Sequence, residues 1–309
     1  MAKNRNAPAS RKLQTRESSR ATYYWYLVPG LFAFAAVIGA SYVRNVYLSL
    51  TKWNGLGKPK FIGFTNYQEL IHDPTFWKSF IHAFEFIGAM ALIPTALGLL
   101  FGAVIFDYIS PKFGNASSSF MRVGLFVPQI IPITVSGILW VWLLEPNSGV
   151  INNFLESVGL PNLTQNWLGD SRLALLSVSI MLIWIQIGYT VVIFVSGMAR
   201  IDPALHEAAQ LDGATWLQRF RIITVNQLRP EISVVLLTTT VAALKVFAPV
   251  YVMTQGGPGD STVVPSFFSY FHFFTTQKVG YGAAIATVLS VILSVLAIVL
   301  LRMQNREEA

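Results

Sequence analysis

Six long apolar runs divide this chain, at roughly 25–48, 80–106, 123–144, 173–198, 232–253 and 283–301. A helix needs about 20 apolar residues to cross the hydrocarbon core of a bilayer. Within that core the backbone must satisfy its own N–H and C=O groups, so runs of this length fold as helices. Apolar residues make up 53% of the 309 and charged residues only 12%, about half the ~25% of an average soluble domain. A chain so poor in charge cannot cover a water-facing surface, which argues against a soluble enzyme, a disordered protein and a coiled coil. The sequence therefore predicts an all-α integral membrane protein with six transmembrane helices.

Orientation follows from the cations. With six spans both termini lie on one side. Lys3, Arg5, Arg11, Lys12, Arg16 and Arg20 precede the first run. Together with Lys112, Arg122, Arg200, Arg219, Arg221, Arg229, Arg302 and Arg306 they put fourteen cations on that side, against six on the other. Cations concentrate in cytoplasmic loops, so both termini are expected in the cytoplasm. The same bias accounts for the net charge of +7 without a nucleic-acid partner. The expected organisation is a polar cytoplasmic tail at 1–22, a six-span domain at 23–302 and a short tail at 303–309. No short apolar region with a cleavage site stands alone at the start, so no signal peptide is expected. Pro94, Pro128, Pro132 and Pro249 fall inside spans and predict kinks, which either line a cavity or only bend their helices.

The segment between the fourth and fifth runs, about 200–225, differs from the rest. Asp202 reads as an N-cap followed by Pro203 at the first helical position. Leu205, Ala208, Ala209 and Leu211 give a short helix, and Gly213 stands where a helix ends in the left-handed conformation. A second short helix carries Trp216, Phe220 and Ile223 on one face. The product is a helix–Gly–helix elbow on the cytoplasmic side.

This elbow, with Glu207-Ala208-Ala209, Asp212-Gly213-Ala214, Phe220 and Ile223, resembles the coupling loop of binding-protein-dependent ABC importer permeases. The run Tyr251-Val252-Met253-Thr254-Gln255-Gly256-Gly257-Pro258 is similar to one in the maltose-type, oligosaccharide-importing branch, as is Gly63-Phe64-Thr65-Asn66-Tyr67. The resemblance implies that Glu207, Ala208, Ala209, Asp212, Gly213, Ala214 and Phe220 form a knob that docks on an ATP-hydrolysing subunit. It implies that Gly256, Gly257 and Pro258 belong to an outer loop. It also implies four kinds of partner or ligand in a prokaryotic cell membrane: a second homologous permease, two ATP-binding subunits, an extracytoplasmic solute-binding protein, and a sugar or similar polyol. Two positions depart from the family pattern. Asn226 stands where a proline follows the loop, and Ala248-Pro249 replace a polar residue ahead of the Tyr-Val run.

The remaining chemistry is sparse. A chain without cysteine has no disulfide, no thiolate metal site and no cysteine nucleophile. His72, His82, His206 and His272 lack metal-ligand spacing, and no phosphate-binding Gly-x-x-x-x-Gly-Lys-Ser/Thr motif occurs. No cofactor is therefore expected in this chain; ATP and Mg would sit on the partner ATPase, and the chain itself is not expected to be an enzyme. Lys245 lies within the fifth run, where a charge costs about 2.5–3.5 kcal/mol on insertion scales. It either faces a substrate path or a neighbouring subunit, or it snorkels. Gln186 and Tyr189 could line the same path or only bond between helices, and Thr238, Thr239 and Thr240 could bond a sugar or only their own helix carbonyls. A permease for another solute such as glycerol phosphate, or a secondary transporter or channel, remains open.

Overall fold

The computed structural model describes residues 20–307, and the side chains of 24–302. The cations at positions 3–16 lie outside the described residues. Two units are distinguished, one ending at Tyr47 and one beginning at Leu48. The first is helical from Arg20, passes through one wider turn at Ala35–Gly39, and enters the helix Ala40–Ser49; together these form α1. Leu48 and Ser49, at its end, are buried.

The second unit opens on a hairpin. β1 (Thr51–Lys52) pairs antiparallel with β2 (Lys60–Phe61), and α2 (Thr65–His72) follows. Asn66 is buried and donates through Nδ2 to Ser49 O and Thr51 O, at 2.7 and 2.9 Å. Tyr67 Oη and Ser49 Oγ share a hydrogen bond. The Gly63–Tyr67 motif thus pins the hairpin to the end of the first apolar helix.

The next helix, α3, runs from Pro74 to Ile130, 57 residues. At 1.5 Å per residue that is about 85 Å, far more than a ~30 Å hydrocarbon core. It is two limbs that meet at Gly114, which has φ 81° and ψ 171°. The sequence predicts a loop over 107–122 between the second and third spans; only Gly114 leaves the helical conformation there. Two wider π turns, Gly88–Leu92 and Ile105–Ile109, interrupt the first limb. Pro94 follows the first of them, so the widened turn absorbs the missing N–H without a loop.

The third span is broken. Its helix stops at Ile130, and α4 (Ile133–Leu143) begins after an extended Ile131-Pro132, because proline forces the preceding residue out of the helical region. After α5 (Val150–Ser157), α6 (Ala174–Met198) is continuous and matches the fourth predicted span. The elbow comprises α7 (Pro203–Leu211) and α8 (Trp216–Arg219), the latter continuing through Phe220–Thr224 and Val225–Gln227.

The fifth span is also broken. It consists of α9 (Arg229–Leu244) and α10 (Ala248–Met253). Pro249 therefore opens a helix rather than kinking one. Ser266 donates to the carbonyl freed at Val246, which is how a broken helix survives where water is absent. Ser266 belongs to α11 (Pro265–Tyr270, extended through Phe271–Thr275), and α12 (Val279–Glu307) closes the chain.

Among the described residues four helical segments are long and apolar enough to cross a membrane alone: α1, α3, α6 and α12. The core lies around α6. A Cβ on Gly98 would stand 2.2 Å from Thr190 Oγ1, and one on Gly188 2.1 Å from Leu125 O. Small residues thus let both limbs of α3 approach α6 at backbone distance. Phe194, Met181 and Leu182 fill the interior on either side.

The candidate coupling elbow and transport path

Helix α7 starts on Asp202, whose carboxylate accepts from Ala204 N at 3.0 Å. It ends in two bonds, Gly213 N to Gln210 O at 3.0 Å and Ala214 N to Ala209 O at 2.9 Å. With Gly213 at φ 78° this is the Schellman ending, and it requires a residue comfortable at positive φ. Thr215 then caps α8, and Gln218 returns the favour to the Thr215 backbone, a capping box. The chain turns within four residues, with Gly213 N, Ala214 N, Thr215 N and Gln218 N all bonded at the corner.

Glu207, Ala208, Asp212 and Gly213 are exposed, and Ala209 and Ala214 are half-buried. Leu211 is 90% exposed, and Leu217 and Ile222 stand clear as well. These side chains form an uncovered apolar patch on the knob, of the kind that marks interaction surfaces. Phe220 takes a different place from the rest of the knob. It stacks on Trp216 at 5.3 Å and 12°, and both pack against a cluster containing Phe194, Met198 and Leu228. It anchors the elbow from within rather than presenting a docking face.

Asn226, where the family pattern has proline, donates to Ile222 O at 2.6 Å, one turn back along its own helix. Arg200 and Glu231 form an ion pair across the base of the elbow. There Gly197 lies so close to Leu228 that a Cβ would stand 2.5 Å from its Cδ2.

The residues named for a transport path are partly brought together. Tyr189 Oη and Thr238 Oγ1 share a 3.4 Å contact between α6 and α9. Gln186, one turn from Tyr189, is buried at 7% exposure. Thr239 is 2% exposed and donates to Val235 O in its own helix, so its hydroxyl is spent inside the bundle. Thr240 is half-buried and Lys245 exposed. Lys245 caps α9 at the break, two residues before Phe247. That ring packs on Tyr251 and Tyr270 at 5.4 and 5.1 Å.

The Gly-Gly-Pro run makes a tight loop after α10. Gly256 has φ 83° and lies where a Cβ would meet the Phe267 ring at 2.6 Å. Thr262 Oγ1 donates to Gly257 O, and Lys78 Nζ reaches Gly259 O at 3.4 Å. His82 Nδ1 shares a 2.8 Å hydrogen bond with Val263 O. The loop thus lies against the start of α3, at the end that holds the hairpin.

Sequence reasoning missed two features. One is α11, whose aromatic run Phe267–Phe274 sits between two spans without reaching spanning length. The other is Asp107, the acceptor for Trp216. Its signal was present: it is the one acidic residue between Ile93 and Ile133.

A model of binding-protein-dependent transport system inner membrane components matches residues 96–307. A probable ABC transporter permease protein of Bacillus subtilis, YurN, is 36% identical over 91% of this chain and 94% of its own. The sulfoquinovosyl glycerol transport system permease protein SmoG of Agrobacterium fabrum is 29% identical over 85% of this chain and 83% of its own. Among solved structures, a chain of a bacterial ABC transporter that imports the acidic polysaccharide alginate superposes with a TM-score of 0.78, covering 93% of this chain and 96% of that one at 22% identity. The fold is therefore that of an ABC permease, and the chain belongs to the family of inner membrane components of binding-protein-dependent transport systems.

Proposed function

We propose that this chain is one of two membrane-spanning subunits of an ATP-driven importer for a di- or oligosaccharide or a related polyol, in a prokaryotic cell membrane. The observation that carries this reading is the exposed elbow, with Glu207 and Leu211 facing outward from a well-capped corner in a member of this family. A relative named for a glycoside cargo supports the sugar. The chain crosses six times with both termini in the cytoplasm. The limbs of α3 form two crossings, the second completed by α4, and α9 with α10 forms another.

The elbow seats in a groove of a separate ATPase subunit, which holds ATP and Mg and performs the hydrolysis; a second copy of that ATPase serves the homologous partner permease. Closure of the ATPase pair pushes the elbows and rocks the helices. The opposite end, with the hairpin and the Gly256–Pro258 loop, receives the loaded binding protein. Sugar passes along Gln186, Tyr189 and Thr240 to the α9–α10 break, where Lys245 offers a cation that lipid would not accept.

The test is uptake by the complete complex in vesicles, with its binding protein and a panel of labelled saccharides. ATP-dependent accumulation of one saccharide is expected, only with binding protein present. Accumulation without ATP, or of glycerol phosphate in place of any sugar, overturns the reading. Docking is checked separately. The chain has no cysteine, so a single Glu207→Cys thiol should cross-link to the ATPase subunit. Failure at all facing ATPase positions in an assembled complex removes the docking step.

Lys245 gives a further expected result. Lys245→Met should insert normally, because it removes the costliest group in its span, and it should lower uptake about tenfold while ATPase docking persists. Undiminished uptake would make Lys245 a snorkelling cation outside the path.

A further inference from the structure

The elbow must move something in the membrane, and its own contacts indicate what. Among the described residues, one side-chain hydrogen bond links 203–219 to the long helices. Trp216 Nε1 donates to Asp107 Oδ2 at 2.9 Å. The remaining side-chain bonds of the elbow close within it: Asp202 to Ala204, Thr215 to Gln218, and Arg219 to Ala214. The Trp216 ring is flanked by Phe220 at 5.3 Å and Tyr108 at 5.9 Å. A cleft of about 540 Å³ lies beside this contact, between α7 and the α3 segment at 106–111. The elbow therefore meets α3 through this hydrogen bond, the Trp216–Tyr108 ring contact and the apolar cluster that Trp216 and Phe220 share with Ala103 and Phe106, with the cleft open beside them.

Asp107 occupies the middle of the π turn Ile105–Ile109, and the elbow rejoins the bundle through a second π turn, Phe220–Thr224. Single π turns within helices recur at functional sites, where they re-aim a side chain. A hydrogen bond to a carboxylate is short, directional and stronger than a neutral one. It fixes rotation as well as separation, whereas apolar contact resists separation without direction.

We propose that Trp216 and Asp107 are the positioning pair that carries displacement of the elbow into α3, and so into the transport path. This rests on the proposed docking of the elbow. In the working cycle the indole and the carboxylate stay joined, and α3 moves with α8. Neither residue touches sugar or nucleotide; both act through geometry.

The experiment uses the complete complex in vesicles and reads three quantities: assembly, ATP hydrolysis and uptake. Trp216→Phe keeps the ring and its stack but loses the donor. Asp107→Leu keeps the branching at Cγ, with a larger side chain, but loses the acceptor. Both should assemble and hydrolyse ATP within about twofold of the unaltered complex, with uptake reduced on the order of tenfold or more. Asp107→Asn, which retains an acceptor oxygen, should recover most of the uptake. The double variant should be no worse than either single one, since the pair acts as a unit.

A second arm guards against misfolding. In the cysteine-free chain, Asp107→Cys with Trp216→Cys should be uncoupled until a short bis-methanethiosulfonate bridges the two thiols, which should restore uptake. Normal uptake in both single variants overturns the proposal. So do parallel losses of assembly, hydrolysis and uptake with no restoration by the bridge, or a bridge that blocks uptake. Failure of the docking reading is distinguishable: there the Glu207→Cys thiol, with Trp216 and Asp107 in place, does not cross-link to the ATPase at all.

Discussion

Replacing Gly213 by valine is expected to lower uptake at least about tenfold while the complex still assembles and hydrolyses ATP. The reason is conformational. Gly213 sits at φ 78°, and a Cβ built there meets nothing within 4 Å. No clash is involved; the cost is that of holding an L-residue in the left-handed region, roughly 1–2 kcal/mol and more for a β-branched side chain. The corner relieves that cost by opening, which loses the bonds from Gly213 N and Ala214 N and swings α7 against α8. Gly213→Asn should be milder, because asparagine visits this region more readily. Membrane level, ATPase rate and uptake, measured together, check the result. Full uptake by the valine variant at normal level would show that the corner tolerates another geometry.

Gly188→Val should act earlier, on folding itself. Its Cβ would lie 2.1 Å from Leu125 O and 2.6 Å from Phe126 Cα. Both are backbone atoms, so no rotamer change relieves the overlap, and α6 must separate from the second limb of α3. Overpacking costs about 1–3 kcal/mol where side chains can shift; here the helices themselves must move, and the protein should fail to accumulate in the membrane. Gly124→Ala, with nothing within 4 Å of its Cβ, is the matched control on the neighbouring helix and should accumulate normally. Immunoblotting of membrane fractions decides between them. Equal levels of the two variants would mean that the α3–α6 contact is looser than the structure has it.

The sequence was most readable where one physical rule dominates. The fourth run matched α6 within a residue because an uninterrupted apolar stretch has only one way to satisfy its backbone. The elbow corner was legible at Asp202 and Gly213 because caps are set by local backbone geometry. Hydropathy failed where polarity and conformation part company. Ile131-Pro132 and Lys245–Phe247 lie within apolar runs, so a window sees a span while the backbone breaks. The reverse error occurred at 107–122, where polar Ser117, Ser118 and Ser119 suggest a loop but remain helical. Thr239 and Phe220 show the limit for sites. Each is on an informative segment, yet only packing reveals that Thr239 bonds its own helix and that Phe220 turns inward. Asp107 could not be paired with Trp216 from the sequence, because nothing local joins residues so far apart.

The broken helices also constrain how the chain is made. Alone, α4 has 11 residues and α10 has 6, and neither reaches the ~20 needed to cross hydrocarbon. They meet one another, with Gly137 of α4 against Val252 and Met253 of α10. Synthesis proceeds at about 5–20 residues per second, so α4 leaves the ribosome on the order of ten seconds before its partner exists. During that interval the Gly137 face of α4 lacks the α10 side chains that cover it. The α4–α10 contact thus joins two short helices made far apart in time, and the packing of the first is finished only when the second exists.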